Sequence, residues 1–280
     1  MAAEPQHAVN RDVRLVSRQP LGSAYVLLTF EHPEVGLRAR AGQFVMLKAG
    51  LSPDPPLRRP FSIMSTDPRA GSFTVFIKTV GPGSRALAAL ETGGLAQCLG
   101  PLGRGFSPPP AGSEAVLVAG GYGIAPFSLF SAELRREGRT PRVFYGGRTA
   151  ADLPLRAPFE ALGVPLVAAT EDGSLGVRGR VTEPLEAYLD GSKGVAVLYA
   201  CGPEAMLRAV ARLAERRGLR AEVSLDPWMG CGIGTCLGCV VRVRGEGTPR
   251  YACACREGPV FDAQAVVWPD DEVTLAGSAR

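Results

Sequence analysis

Five of the seven cysteines in this 280-residue chain fall between positions 231 and 255. Three form a C-x4-C-x2-C run, Met229-Gly-Cys231-Gly-Ile-Gly-Thr-Cys236-Leu-Gly-Cys239, and Cys253 and Cys255 follow. A stretch with this much glycine is unsuited to the interior of a helix or strand and suited to wrapping a bound group. The spacing is that of plant-type [2Fe–2S] loops, whose fourth thiolate comes from a distant position. Gly230, Gly232, Gly234 and Gly238 remove side-chain bulk and free backbone N–H groups to face sulfurs that carry negative charge. A four-cysteine zinc site is the rival reading, but structural zinc is usually held by two close pairs, and only one such pair is present. Arg250-Tyr-Ala-Cys253-Ala-Cys255 alternates, which on a strand would put both remaining thiols on one side. Spacing therefore leaves the fourth ligand open between Cys253 and Cys255.

An odd number of cysteines behind a polar N-terminus, Met1 to Arg11, argues for a reducing compartment rather than a disulfide framework. A net charge of +4 with no basic run argues against a nucleic-acid partner. No apolar stretch approaches the roughly 20 residues that cross a bilayer. The expectation is a cytoplasmic protein with neither membrane nor nucleic acid as partner. The thiols then serve metal or redox chemistry.

Residues 24–30, 43–48 and 72–78 are rich in β-branched and aromatic side chains and bounded by glycine or proline. They predict a small antiparallel barrel within residues 1–106. A proline-rich segment, 107–112, reads as a linker. Beyond it, apolar runs at 115–119, 142–145, 164–168, 195–199 and 220–224 alternate with helical segments. One helix is expected near 126–137, and another after Pro203 with Met206, Ala209, Val210 and Leu213 on one face. This alternation predicts a parallel-sheet domain over 107–224. Residues 225–280 hold the cysteine loop and end in a tail, after Pro269, expected to fray.

Two sets of residues have the chemistry of dinucleotide sites. In the first half, Arg59-Pro60-Phe61-Ser62 offers a guanidinium for a pyrophosphate, an aromatic surface and a hydroxyl for a flavin ring. Lys78 and the turn Gly81-Pro-Gly83-Ser84 before a helical 85–90 offer further anion contacts, although a plain strand-to-helix turn would look the same. In the second half, Gly121-Tyr-Gly123-Ile-Ala-Pro126 joins the first parallel strand to its helix, where doubly wound sheets bind dinucleotides. Cys201-Gly202-Pro203 ends a later strand at the same edge, where Cys201 either approaches a nicotinamide or is a buried small hydrophobe. Cys98 reads as core. Arg148 suits either a 2′-phosphate or the adenine face, so the choice between NAD and NADP stays open.

Taken in order, these motifs resemble the ferredoxin–NADP reductase superfamily over nearly the whole chain. Arg59-Pro-Phe-Ser62 is similar to its R-x-Y-S flavin motif, with Phe61 in place of tyrosine. The narrower resemblance is to the electron-transfer subunits of NAD-dependent dihydroorotate dehydrogenases, through the cysteine loop, Thr170-Glu-Asp-Gly-Ser174 and Gly258-Pro-Val-Phe-Asp-Ala263. In that family the last cluster ligand just precedes the Gly-Pro-Val-Phe segment, which implies Cys231, Cys236, Cys239 and Cys255 as ligands and leaves Cys253 extra. The resemblance further implies FAD on the barrel, NAD on the parallel sheet, and an FMN-containing catalytic partner in a heterotetramer. That partner would oxidise dihydroorotate, and its electrons would pass through the cluster and FAD to NAD. This chain shows no separate barrel of about 250 residues for the FMN chemistry. Two rivals remain: a related flavin and [2Fe–2S] subunit of a transhydrogenase, sulfhydrogenase or oxygenase system, and a non-enzymatic zinc-binding interaction module.

Overall fold

The computed structural model describes residues 8–50, 56–192, 194–245 and 248–268. The tail after Pro269 lies outside the described residues. β1 (Val9–Leu21), β2 (Tyr25–Glu31), β3 (Phe44–Ala49), β4 (Arg59–Asp67), β5 (Ser72–Lys78) and β6 (Leu95–Leu102) close into an antiparallel barrel in the order β1-β2-β5-β4-β3-β6. Closure leaves no free strand edge. The barrel is filled by alternate residues such as Val13, Leu15, Leu28, Phe30, Val75 and Ile77, all nearly inaccessible. Short helices α1 (Pro33–Arg38) and α2 (Pro82–Ala88) pack on it; α2 begins three residues before the expected helical run.

The second unit holds β7 (Glu114–Gly120), α3 (Ala125–Arg136), β8 (Arg142–Gly147), α4 (Ala157–Ala161) and β9 (Leu166–Thr170). It continues through β10 (Val177–Arg178), α5 (Thr182–Gly191), β11 (Ala196–Cys201), α6 (Glu204–Arg216) and β12 (Arg220–Ser224). The six strands are parallel, in the order β10-β9-β8-β7-β11-β12. Such runs as Val116–Val118 and Leu198–Ala200 are buried on both faces, as a parallel sheet requires. β9 starts two residues later than expected, because Pro165 cannot donate to the ladder and instead accepts from Val143 N (2.9 Å).

On α6 the buried face is Leu207, Val210, Ala211 and Ala214, with Leu213 beside it; Ala209 is exposed and Met206 half-buried. The expected face was therefore one residue out of phase. The i, i+3, i+4, i+7 stripe starts at Leu207, while Met206 serves the turn above, where its Sδ would stand 3.0 Å from a Cβ at Gly120.

The cysteine-bearing segment is built into both units. β15 (Val260–Asp262) adds a seventh, antiparallel strand to the sheet beside β12. β13 (Val240–Val243) and β14 (Arg250–Cys253) form a separate two-stranded ribbon. Arg104 N donates to Gly258 O and Leu225 N to Pro259 O (2.9 Å), which ties the barrel's exit and the end of β12 to this segment.

The proline-rich connection is fixed along its length. Ser107 N donates to Glu222 Oε2 (2.9 Å), and Arg139 donates to the carbonyls of Pro109 and Pro110. Phe106 stacks on Phe127 and Phe130, with ring centroids 5.4 and 5.3 Å away. The buried Tyr199 hydroxyl donates to Ser107 O (2.8 Å). Tyr199→Phe leaves that carbonyl short of a donor, which costs about 1 kcal/mol. The expected result is a lower urea midpoint with an unchanged slope, and an unaltered flavin absorbance.

Candidate functional site

A cavity of about 750 Å³ lies between the barrel and the carboxyl edge of the sheet. That edge is where open α/β sheets bind ligands, and the volume is that of a small-molecule or cofactor site. From the barrel come Arg59, Pro60, Phe61 and Ser62 on β4, Lys78 at the end of β5, and Gly81, Gly83 and Ser84. From the sheet edge come Gly123, Cys201 and Gly202. Gly121, Pro126 and Pro203 do not line it.

The barrel side is set by a turn pressed onto an arginine. A Cβ on Gly83 would stand 2.6 Å from Arg59 Nε, so the start of α2 lies directly against the guanidinium. Ser84 Oγ accepts from Val80 N (2.9 Å) and Gly81 N (3.0 Å) and donates to Gly81 O (3.0 Å). The Ser84 hydroxyl thus holds the turn, and the N–H groups of Gly83 and Ser84 stand ahead of the first helical bond, from Arg85 N to Gly81 O. Lys78 Nζ lies 3.2 Å from Asp152 Oδ1, to which the Tyr25 hydroxyl also donates (3.1 Å). The Tyr25 hydroxyl, with Asp152 behind it, holds the Lys78 ammonium above its ordinary value. This cluster binds β2 and β5 to the segment after β8.

At the sheet edge the glycines serve packing. A Cβ on Gly123 would stand 2.3 Å from the Cys201 carbonyl oxygen, one on Gly120 would meet Pro203 Cδ at 2.6 Å, and one on Gly202 would meet Gly120 N at 2.8 Å. Two strand-to-helix turns are therefore seated backbone on backbone, which the expectation of a phosphate-cradling glycine loop did not include. Pro126 is buried in the first turn of α3. Cys201 is 8% exposed, and burial pushes its thiol up to about 12 while the Ser224 side chain hydrogen-bonds to it. It faces the cavity as a neutral thiol. Cys98 is wholly buried in the barrel, its thiol likewise pushed up to about 12 by burial.

Residues from 224 to 229 complete the wall, among them Asp226, Trp228 and Met229, together with Tyr122. None of these was singled out from sequence. The available signal was their place just past a parallel strand's carboxyl end.

Two residues beyond Met229 the thiols begin. Cys231 Sγ accepts from Ile233 N and Cys236 N, each at 3.4 Å, and Cys236 Sγ accepts from Gly238 N at 3.5 Å. Burial pushes the Cys231 thiol up, but these backbone donors and the Cys236 side chain outweigh it and bring it down to about 6. Burial and a hydrogen bond with Cys239 push Cys255 up to about 12. The Cys236 N–H thus ties Cys236 to Cys231, while Cys239 lies buried with Cys255 and influences its titration. Among the described residues no three such side chains surround a single point. Four thiols gathered here with sulfur-directed N–H groups fit an iron–sulfur cluster, which they would hold as thiolates. Cys253 and Cys255 do not share a strand face: β14 ends at Cys253, whose carbonyl accepts from Arg256 N (3.0 Å) and Glu257 N (2.8 Å). The chain reverses there and carries Cys255 inward. Gly232 seats this loop on the barrel, where a Cβ would stand 2.7 Å from Met46 Cγ on β3.

A closed barrel and a parallel sheet sharing one cavity, with paired thiols next to it, define a flavin- and nicotinamide-dependent reductase extended by an iron–sulfur segment. Residues 12–106 match the model of an oxidoreductase FAD-binding domain, 117–212 an oxidoreductase NAD-binding domain, and 226–267 the iron–sulfur cluster binding domain of dihydroorotate dehydrogenase B. The chain belongs to the family of dihydroorotate dehydrogenase B (NAD(+)) electron transfer subunits. It is 36% identical to the subunit so named from Desulforamulus reducens, over 86% of this chain and 92% of that one. It is 42% identical to that from Bacillus caldolyticus, over 81% and 86%. Among solved structures, a chain of the NADH-dependent reduced ferredoxin–NADP oxidoreductase superposes with TM-score 0.82 at 27% identity, covering 100% of this chain and 96% of that one. A ferredoxin–NADP(+) reductase from Neisseria gonorrhoeae gives TM-score 0.62 at 20% identity over 75% and 92%, a likeness of fold. The protein is an oxidoreductase whose cofactors are FAD, NAD and a [2Fe–2S] cluster. No helix among the described residues is long and apolar enough to cross a membrane.

Proposed function

We propose that this chain carries electrons between an FMN-containing dihydroorotate dehydrogenase catalytic subunit and NAD, as a cytoplasmic component of a heterotetramer in pyrimidine biosynthesis. The observation that carries the reading is continuity. Asp226 to Met229 line the cavity, Cys231 follows two residues later, and Gly232 lies against the barrel strand next to β4. Thiols and cavity are therefore adjacent walls of one structure. When bound, FAD exchanges single electrons with an iron–sulfur centre and electron pairs with nicotinamide.

In this assignment Cys231, Cys236, Cys239 and Cys255 hold the cluster. Arg59 neutralises the flavin pyrophosphate, with the Gly83 and Ser84 N–H groups and Lys78 nearby; Phe61 and Ser62 face the ring, beside Pro60. Gly123, Cys201 and Gly202 receive the nicotinamide, and the neutral Cys201 thiol packs against the ring without acting as a nucleophile. Pro126 and Pro203 shape that pocket from behind, and Gly121 supplies the left-handed turn that leads into it. The division is a flavin barrel over 1–106, a nicotinamide domain over 107–224 and a cluster segment over 225–280. Neither a membrane nor a nucleic acid takes part.

A subunit of a different electron-transfer complex is the alternative, and the 27% likeness to the ferredoxin–NADP oxidoreductase chain is what favours it. Co-expression with an FMN-containing dihydroorotate dehydrogenase catalytic subunit decides. The expected result is a stable complex in which dihydroorotate reduces NAD(+) only when this chain is present. A stable complex with a hydrogenase or ferredoxin enzyme instead would overturn the proposal.

A further inference from the structure

The charges of the cavity are divided by position. Its cationic side chains, Arg58, Arg59 and Lys78, all come from the barrel, and Asp226 is the one carboxylate among the described residues lining it. Asp226 stands two residues past the end of β12, on the edge where Cys201 ends β11 opposite Ser224. Tyr122 lines the same wall, and the charge of Asp226 reaches both its hydroxyl and the Cys201 thiol. Asp226 is exposed to the cavity, not sealed in the protein. The cavity wall therefore offers cations where phosphates are expected and one anion beside Cys201.

The two forms of the nicotinamide ring differ in charge: oxidised it is cationic, reduced it is neutral. Uniform contacts to ribose, phosphate and adenine bind both forms alike. A carboxylate near the ring acts on the cationic form alone. We propose that Asp226, beside Tyr122 in the cavity wall, is the residue through which this site distinguishes oxidised from reduced nicotinamide, favouring the cationic ring. The inference rests on the reading above that nicotinamide docks at Cys201 and Gly202. Burial among its neighbours pushes the Asp226 carboxyl above its ordinary range, and the Tyr122 hydroxyl opposes this. An arriving cation opposes it further.

The test uses holoprotein in two redox states, so that neither nucleotide reacts: NAD(+) titrated into oxidised protein and NADH into dithionite-reduced protein, both by calorimetry at about pH 8, well above the ordinary Asp range. Asp226→Asn keeps the shape and removes the charge. The expected result is an NAD(+) Kd raised about tenfold with the NADH Kd changed less than about twofold, the scale of one partly screened charge pair. Asp226→Glu should return most of the NAD(+) affinity, and Tyr122→Phe should fall between. Equal weakening of both nucleotides would mark Asp226 as structural and overturn the proposal, as would an unchanged ratio. Wild-type protein that bound neither nucleotide would instead overturn the reading of the site, and the proposal with it.

Discussion

Cys255→Ser is expected to strip the iron from this protein, and Cys253→Ser to leave it in place. The two thiols are two residues apart, but the fold separates their roles. β14 ends at Cys253, and the two N–H groups donated back to its carbonyl turn the chain, so that Cys255 is fully buried against Cys239. Cys253 is only partly buried, and its own backbone N–H donates to the Glu257 carboxylate (3.1 Å) at the surface. Serine has nearly the size of cysteine, so neither change disturbs packing. What Cys255→Ser removes is a soft thiolate, the ligand type that iron–sulfur clusters select. The loss in iron affinity should exceed the roughly 10–100-fold that substitution of an outer-shell partner costs. Iron and acid-labile sulfide in anaerobically purified protein, with the visible spectrum, give the readout; flavin content should be equal in both variants. Iron lost from Cys253→Ser and retained in Cys255→Ser would reverse the assignment.

How far the sequence discloses this arrangement depends on whether the cause is local. Strands 24–30, 43–48 and 72–78 announce themselves because alternation and β-branching are properties of the strand itself. They appear as β2, β3 and β5 within a residue or so. The cluster loop is equally local, since spacing and glycine content reside in one stretch. Other features depend on tertiary partners. β15 is three residues long and exists because β12 needs a neighbour; nothing in Val260–Asp262 alone specifies that pairing. The periodicity of α6 is present in the sequence, but Met206 is apolar enough to pass for core until the turn at Gly120 claims it. Tyr122, Asp226 and Trp228 reach the cavity through topology: the carboxyl ends of β7, β11 and β12 lie side by side. The glycines at the sheet edge show the same limit in another form. Gly121, Gly123 and Gly202 look alike in sequence, yet each meets different surroundings in the fold.

That difference makes Gly123→Ala the second substitution with a large expected effect. A Cβ there would stand 2.3 Å from the Cys201 carbonyl oxygen, 2.5 Å from its carbon and 2.7 Å from Gly202 N. All three are backbone atoms, so no side chain can turn aside, and the two turns must part. Overpacking of this kind costs about 1–3 kcal/mol, and rigid neighbours put this case at the upper end. The functional loss should be larger than the loss of stability. Parting the turns displaces Cys201 and Gly202 from the barrel wall that carries Arg59 and Ser62, and a displacement near 1 Å can cost about 100-fold in rate. The flavin contacts lie on the barrel and should survive, so Gly123→Ala is expected to purify yellow yet be reduced by NADH at least about 100-fold more slowly in stopped flow. Gly121→Ala is the control. A Cβ there meets nothing within 4 Å, and the only penalty is its φ of +54°, so it should lose about 1–2 kcal/mol of stability while flavin reduction stays near normal. Wild-type rates in Gly123→Ala would mean that the backbone contact between the turns does not set the nicotinamide pocket. Equal rate losses in the two variants would assign the effect to loop strain and not to the seating of one turn on the other.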